Sequence, residues 1–508
     1  MMGLPDWAVQ AMSVLTQAFI LALGVLALIA LILFIIDRTQ TSDAIRRNYP
    51  VVGRFRGLFT TLGEFFRQYF FAMDREELPF NRAEREWVYR SARGEGGTVP
   101  FGSTKPLTPV GTPIFANSAF PPLDDHAAAT QALRIGAGAR QPYDAPSFFN
   151  ISGMSYGALS KPAVRALSRG AAKAGIWMNT GEGGLTEMHL DGGCDIVFQI
   201  GTAKYGVRNA TGGFSEEKLR EVAAIPQVKM FELKLSQGAK PGKGGILPAE
   251  KVTAEIAAIR GIPAGQASIS PNRHPEIANT AELLDTIAHL REVTGKPVGF
   301  KACLGAYGWL EELCLEIKKR GVESAPDFFT IDSGDGGTGA APMALMDNVG
   351  LPIRESLPIA VTILGQHGLR GRMHIIASGK LLTPGAVAWA LAAGADFIQC
   401  GRGFMFSLGC IQAMKCHKNT CPTGVTTHDK RLQRGLVVTE KSEKVAHYAN
   451  TVREHVEMIA HSCGVAEPRL LRRKHVRLVQ ANGRSMPMTA IYYMPPDESV
   501  RPDFPEQT

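Results

Sequence analysis

Between Met1 and Ile36 the chain carries one charged side chain, Asp6, and no basic one, and its first cysteine is Cys194. The run from Phe19 to Ile36, FILALGVLALIALILFII, has no charge at all, and the uncharged stretch reaches back to Trp7. No basic residue precedes it and no small-residue cleavage site ends it, so the pattern is not that of a cleaved signal peptide. Its length suits one helix crossing a bilayer. The competing reading is a helix buried in a soluble core, and no polar second face marks one. Arg38, Arg46, Arg47, Arg54 and Arg56 all follow the run, so the positive-inside bias places the rest of the chain in the cytoplasm.

Other absences exclude whole classes. Eight cysteines in 508 residues, three of them clustered, do not make a disulfide scaffold. The net charge of +8 is mild and no long basic stripe is interleaved with aromatics, which argues against nucleic acid as a partner. No G-x-G-x-x-G follows a predicted strand, so no pyridine-nucleotide module is expected. Internal repeats and low-complexity tracts are missing. The stretch RGLFTTLGEFFRQYFFAMDREELPF, from Arg56 to Phe80, suits a helix lying in the membrane interface or an aromatic face packed on the rest of the chain. RLLRRKHVR, from Arg469 to Arg477, reads as a solvated basic surface, with anionic lipid as the alternative partner.

What is present in abundance is glycine, 54 residues, much of it in short clusters. From about residue 148 short apolar runs alternate with helical patterns. The expected strands are FFNISG (148–153), GIWMNTG (175–181), KMFELKL (229–235), QASISP (266–271), KPVGFKA (296–302), DFFTIDSG (327–334), MHIIASG (373–379) and DFIQCGRG (396–403). Between them lie amphipathic segments such as TAELLDTIAHLREVTG and WLEELCLEIKKRG. Eight such units in order predict a (β/α)8 barrel, with DIVFQIGTAKYG expected as an excursion after the second strand. Polar and glycine-rich residues cluster at the carboxyl ends of these strands, where barrels do chemistry. Ser378-Gly379-Lys380 and Gly401-Arg402-Gly403 follow strands seven and eight, the usual place for a phosphate.

Directly after this glycine-rich stretch, GCIQAMKCHKNTCPTG sets Cys410, Cys416 and Cys421 in C-x5-C-x4-C spacing. Three thiolates at this spacing suit an iron–sulfur cluster. A zinc site with His417 as fourth ligand and three unrelated structural cysteines are the other readings, and the usual C-x2-C pair of zinc modules is missing.

At these residues the chain resembles the synthase domain of glutamate synthase, its FMN and iron–sulfur part, over roughly residues 145 to 430. The motifs are MSYGALS (154–160), NTGEGG (179–184), QGAKPGKGG (237–245), DGGTGA (335–340) and the cysteine run ending CPTGV. The resemblance implies a barrel binding FMN at its carboxyl end beside a [3Fe–4S] cluster on Cys410, Cys416 and Cys421. It also implies reduction of 2-iminoglutarate, formed from 2-oxoglutarate and ammonia, to L-glutamate. Two residues are expected to be catalytic: Glu182, positioning ammonia and moving protons, and Lys301, a fixed ammonium beside the flavin. Lys301 could instead simply pair with an acidic neighbour. Lys240 and Arg260 are expected to clamp the substrate carboxylates, with Gln237 and Ser270 as hydrogen-bonding partners. Met154, Ser155 and Thr180 are expected at the flavin ring. Asp335, Gly336, Gly337 and Thr338 would close the site, and Gly379, Gly401 and Arg402 would hold the phosphate.

The chain also departs from that family. Its amino terminus reads as a membrane anchor rather than a glutaminase domain with a catalytic cysteine. The stretch from Pro422 to Thr508 is too short for the family's β-helix domain. The expected organisation is an anchor (1–40), an interfacial or linker region (41–145), the barrel (146–430) and a helical extension with a tail (431–508). Electrons would then come from an external donor, ferredoxin or a membrane redox protein, and nitrogen from ammonium or an amine. The same fold acting on another amine or 2-oxo acid, and a non-catalytic flavin and iron–sulfur relay, are the alternatives. A homo-oligomer is compatible with the sequence.

Overall fold

The protein is represented by a computed structural model that describes residues 5–123 and 130–492. The first residues of the expected anchor and residues 493–508 of the expected tail lie outside the described residues. The chain divides into two compact units, Met1–Ala83 and Glu84–Thr508. The division falls inside the region expected to be a linker.

In the first unit one helix runs over Asp6–Thr39, and it is long and apolar enough to cross a membrane. The uncharged core from Phe19 to Ile36 alone spans about 27 Å at 1.5 Å per residue. The helix ends on Asp37, whose carboxylate is fully buried. It accepts from Arg46 Nη2 at 2.7 Å, from Arg54 Nε at 2.7 Å and from the Val51 backbone N–H at 3.0 Å. Charges that end an apolar run are thus used to fold the chain back on itself. A short helix, Ala44–Asn48, is capped by Asp43, and a third covers Val52–Phe66 and widens into a π-helical turn at Arg67–Phe71. Phe55, Phe59, Phe70 and Phe71 on that segment are exposed.

The second unit is built on a closed barrel of eight parallel strands: β1 (Phe149–Ile151), β2 (Met178–Asn179), β3 (Ile196–Ile200), β4 (Val228–Lys234), β5 (Val298–Cys303), β6 (Phe328–Asp332), β7 (His374–Ser378) and β8 (Phe397–Cys400). The (β/α)8 architecture is the expected one, but two strands differ. DIVFQIGTAKYG supplies β3, because IVFQI is buried at every position, as a strand covered on both faces must be. QASISP is not in the barrel. Its Ser268–Ile269 pairs antiparallel with Ile246–Leu247 in a small excursion after β4, and Ile269 is 65% exposed there. Alternation of polar and apolar residues over so few positions does not distinguish these two settings.

Side chains alternate across a strand, so every second residue of β4 points inward. Met230, Glu232 and Lys234 therefore mark three levels of the barrel interior. The lowest is apolar, where Val197, Met230, Phe328, Ile376 and Phe397 pack with Trp177 and with a hairpin of Leu133–Ile135 and Tyr143–Ala145. The middle is polar and fully buried: Glu232 accepts from Asn179 Nδ2 at 2.8 Å, Gln199 Nε2 at 2.7 Å and Thr330 Oγ1 at 2.6 Å. The top is charged: Lys301 is in register with Lys234 and has Asp332 Oδ2 at 3.3 Å.

The helix Val438–Ser462 packs along Lys161–Ala174, close enough that a Cβ on Gly170 would stand 2.5 Å from Val445. The basic run expected as a solvated surface is largely internal. Arg469 is fully buried and donates to the Asp396 carbonyl at 3.0 Å and the Gln131 carbonyl at 2.7 Å, while Arg473 donates to the Pro358 carbonyl at 3.0 Å. Backbone carbonyls left free at helix and loop ends need donors, and long guanidinium stems reach them.

Candidate active site

A cleft of about 1220 Å³, mouth included, opens at the carboxyl ends of the strands. Its lining brings together Met154, Ser155, Glu182, Gln237, Lys240, Arg260, Ser270, Lys301, Gly337, Thr338, Gly379, Gly401 and Arg402, drawn from nearly every strand end. Cys416 lines it too.

Glu182 follows β2 and is held by close packing. A Cβ on Gly245 would stand 2.1 Å from its Oε1, and one on Gly201 would stand 2.6 Å from its Cβ. Only glycine leaves that space, and both glycines come from other loops. Lys234 Nζ lies 3.0 Å from Glu182 Oε2. Burial alone would raise the carboxyl's pKa, but Lys234, Lys240 and Arg260 outweigh it and hold it below its ordinary value. Glu182 is thus an anion throughout the neutral range.

Lys240 is 3% exposed and donates to the Ala340 carbonyl at 3.0 Å. Burial lowers its pKa to about 8, against the opposing pull of Glu182. Gln237 accepts from Lys234 Nζ and donates to Thr338 Oγ1 at 3.0 Å, so it ties the loop after β4 to the loop after β6. Arg260 closes the helix Ala254–Arg260 and is buried, not on the surface. Its Nη2 donates to the Tyr156 carbonyl at 3.2 Å and its guanidinium lies 5.0 Å from the Tyr205 ring centre. Its Nε is buried and makes no hydrogen bond among the described residues.

Lys301, on β5, has Asp332 Oδ2 at 3.3 Å. Burial works against its charge, yet Asp332 and then Glu232 more than compensate, and its pKa is raised. The pairing with an acidic neighbour and the place in the cleft therefore hold together. Asp332 also accepts from the Gly238 N–H at 2.9 Å.

Five expected residues are not among the lining. Thr180 is fully buried; its hydroxyl donates to the Gly181 carbonyl at 2.9 Å and accepts from the Gln199 N–H at 3.0 Å, bracing the loop that carries Glu182. Asp335 turns to Lys380 Nζ at 3.0 Å and accepts from the Ser333 hydroxyl. Gly336 bonds back to the Ser333 carbonyl at 2.9 Å. Cys410 and Cys421 stand in the loop behind Cys416.

That loop is tightly wound: Gln412, Met414 and Asn419 all have positive φ (57°, 53° and 56°), a conformation non-glycine residues rarely adopt. Burial pushes the Cys410 thiol up to about 11. Burial also acts on Cys421, but hydrogen bonds from Thr423 and Thr426 outweigh it and leave its pKa lowered. Among the described residues no three His, Cys, Asp or Glu side chains converge as ligands of one metal ion. A cluster asks for something else, one thiolate per iron, which three cysteines spread along one loop can supply.

Lys234, Asp332 and Gln199 join the site without having been singled out from the sequence. Lys234, like Lys301, is a lysine near the end of a barrel strand.

A family model described as "Conserved region in glutamate synthase" matches residues 129–466. "Glutamate synthase large subunit-like protein YerD" of Bacillus subtilis (strain 168) is 41% identical over 483 residues, which cover 87% of this chain and 91% of that protein. "Archaeal glutamate synthase (NADPH)" of Methanocaldococcus jannaschii is 34% identical over 330 residues, covering 65% of this chain and 61% of that one. "Archaeal-type glutamate synthase (NADPH)" of Dehalococcoides mccartyi is 34% identical over 293 residues, covering 58% and 55%. Of the two NADPH-named proteins the chain thus spans somewhat more than half the length.

Proposed function

Starting from a chain that belongs to the glutamate synthase family and is a glutamate synthase-type oxidoreductase, we propose that it reduces the imine of 2-oxoglutarate and ammonia to L-glutamate. The observation that carries this reading is the meeting of one held anion, Glu182, with the cations of Lys240 and Arg260 in the lining of a single cleft. A dicarboxylate needs two cations, and the ammonium or iminium nitrogen needs an anion.

Bound FMN would supply the hydride, and a [3Fe–4S] cluster on Cys410, Cys416 and Cys421 would relay single electrons to it. The residues suit both groups. Met154 and Ser155 would lie at the flavin ring, with Gly379, Gly401 and Arg402 at its phosphate, where strands seven and eight end. Lys301 would bring a positive charge kept in place by Asp332. Lys240 and Arg260 would each take one carboxylate, with Ser270 and Gln237 fixing the orientation. Glu182, kept ionised by its lysines, would hold the cationic nitrogen at the carbon that receives the hydride. In this arrangement it acts first by charge and position, and only then as a proton carrier.

The helix Asp6–Thr39 would anchor the enzyme in a membrane with the barrel on the cytoplasmic side, and ferredoxin or a membrane redox protein would deliver electrons. A second reading keeps the 2-oxoglutarate and replaces ammonium by an alkylamine. Ile246 and Leu247 favour it, because they give the cleft an apolar wall next to Gly245 and hence to Glu182.

The test is anaerobic reduction of the purified protein with dithionite, followed by addition of 2-oxoglutarate and ammonium. Flavin reoxidation with stoichiometric glutamate supports the proposal. Reoxidation only with methylamine present selects the second reading, and a flavin that stays reduced with either nitrogen source overturns both.

A further inference from the structure

Lys251 belongs to none of the groups described so far. It ends a 3-10 turn, Ala249–Lys251, in the excursion after β4, and only 2% of it is exposed. Its Nζ donates to the Ala158 carbonyl at 2.5 Å and to the Cys416 carbonyl at 3.2 Å. Ala158 lies in the MSYGALS loop that lines the cleft, and Cys416 in the cysteine loop. One buried ammonium therefore bonds to both loops. The turn around it is also tied to the cysteine loop, where Asn419 Nδ2 donates to the Glu250 carbonyl at 3.1 Å, and the two loops meet directly where His428 Nε2 is 2.8 Å from the Gly157 carbonyl.

Of the other buried lysines, Lys240 and Lys296 donate to backbone carbonyls, while Lys204, Lys234 and Lys301 each meet a carboxylate within 3.3 Å. Lys251 meets none among the described residues. Two neutral carbonyls satisfy hydrogen bonds but do not balance a charge taken out of water. The groups of opposite potential sign that face it are the thiols of Cys416 and Cys421, and Arg260 adds a second cation nearby. Protonated thiols offer no counter-charge. Thiolates bound to an iron–sulfur core do, since that assembly is anionic overall.

We infer that the Lys251 ammonium is the buried counter-charge of a cluster held by Cys410, Cys416 and Cys421, and that it ties the cluster loop to the flavin loop. The inference rests on the iron–sulfur reading given under the proposed function. A fixed positive charge beside a redox centre stabilises its more negative, reduced state and so raises its potential. Removing it lowers the potential. Lys251 thus acts through the cluster as a positioning residue and touches no substrate.

The experiment is an EPR-monitored redox titration, with iron and sulfide analysis, of the detergent-solubilised full-length protein as wild type, Lys251→Met and Lys251→Arg. The expected result is a three-iron signal in all three, with the midpoint potential shifted negative in Lys251→Met and restored toward wild type in Lys251→Arg. Loss of iron from Lys251→Met with retention in Lys251→Arg also upholds the inference, because charge is then what the site requires. A wild-type potential in Lys251→Met overturns it and leaves the iron–sulfur reading standing, and so does loss of iron from both variants. Wild-type protein without iron overturns the inference and the iron–sulfur reading together.

Discussion

Lys234 Nζ stands 3.0 Å from Glu182 Oε2, an ion pair between the last residue of β4 and the loop after β2 at the floor of the cleft. Glu182→Gln keeps the shape and the hydrogen-bonding capacity but removes the anion. It is expected to lower kcat/KM for ammonium by about 100-fold, in the range of a single acid–base group, with KM for 2-oxoglutarate changed far less. Steady-state assays at saturating 2-oxoglutarate read this out, and an unaltered ammonium dependence would remove Glu182 from the nitrogen site.

Gly245→Ala tests the same carboxylate without touching it. The added Cβ would meet Oε1 at 2.1 Å, closer than any real contact, so Glu182 must swing away. Activity should fall nearly as far as in Glu182→Gln while FMN content stays at the wild-type level. The double variant should be hardly worse than either single one, because both remove the same interaction.

Lys240 gives a pH signature. Its pKa lies at about 8, lowered by burial, so the ammonium is progressively lost as pH rises through that value. A cationic clamp that loses its charge binds a carboxylate less well. The dissociation constant for 2-oxoglutarate should therefore rise above pH 8 in wild type, and this limb should vanish in Lys240→Arg, whose side chain stays charged. Equilibrium titration of the oxidised enzyme between pH 6.5 and about 9.5 checks the sign.

Asp332→Asn leaves Lys301 buried without its nearest anion. Removing one partner of a buried pair costs about 3 kcal/mol, and thermal unfolding should register a loss of that order. The raised pKa of Lys301 should drop with it. The flavin's midpoint potential should then fall more steeply with pH in the alkaline range than it does in wild type.

In the amino-terminal unit, Asp37→Ala leaves Arg46 and Arg54 without their shared carboxylate. Fractionation should still find the protein in membranes, since the apolar helix is intact. The turn from 40 to 54 should become a site of rapid tryptic cleavage. Protection equal to wild type would show that the clamp is dispensable.

Much of this protein was legible as a string. Runs of residues buried on both faces marked barrel strands, and the uncharged run marked a membrane-length helix, because periodicity and hydrophobicity are properties of the segment itself. Glu182 and Lys240 stood out through motifs shared with the glutamate synthase family, Lys301 as a lysine in an apolar stretch, and the three cysteines by their spacing. What failed was what depends on neighbours. QASISP and DIVFQI are equally strand-like on their own, and only closure of the barrel decided that Ile196–Ile200 is buried on both faces while Ser268–Ile269 pairs outside it. Arg469 to Arg477 looked like a surface until other segments offered carbonyls to it. Gly245 became the wall behind Glu182 only when the loop after β4 folded over the loop after β2. Lys251 has no signal in sequence at all. Segment-level energetics set which elements form, but which charges face one another is fixed by contacts between residues far apart in the chain, and those exist only once the barrel has closed.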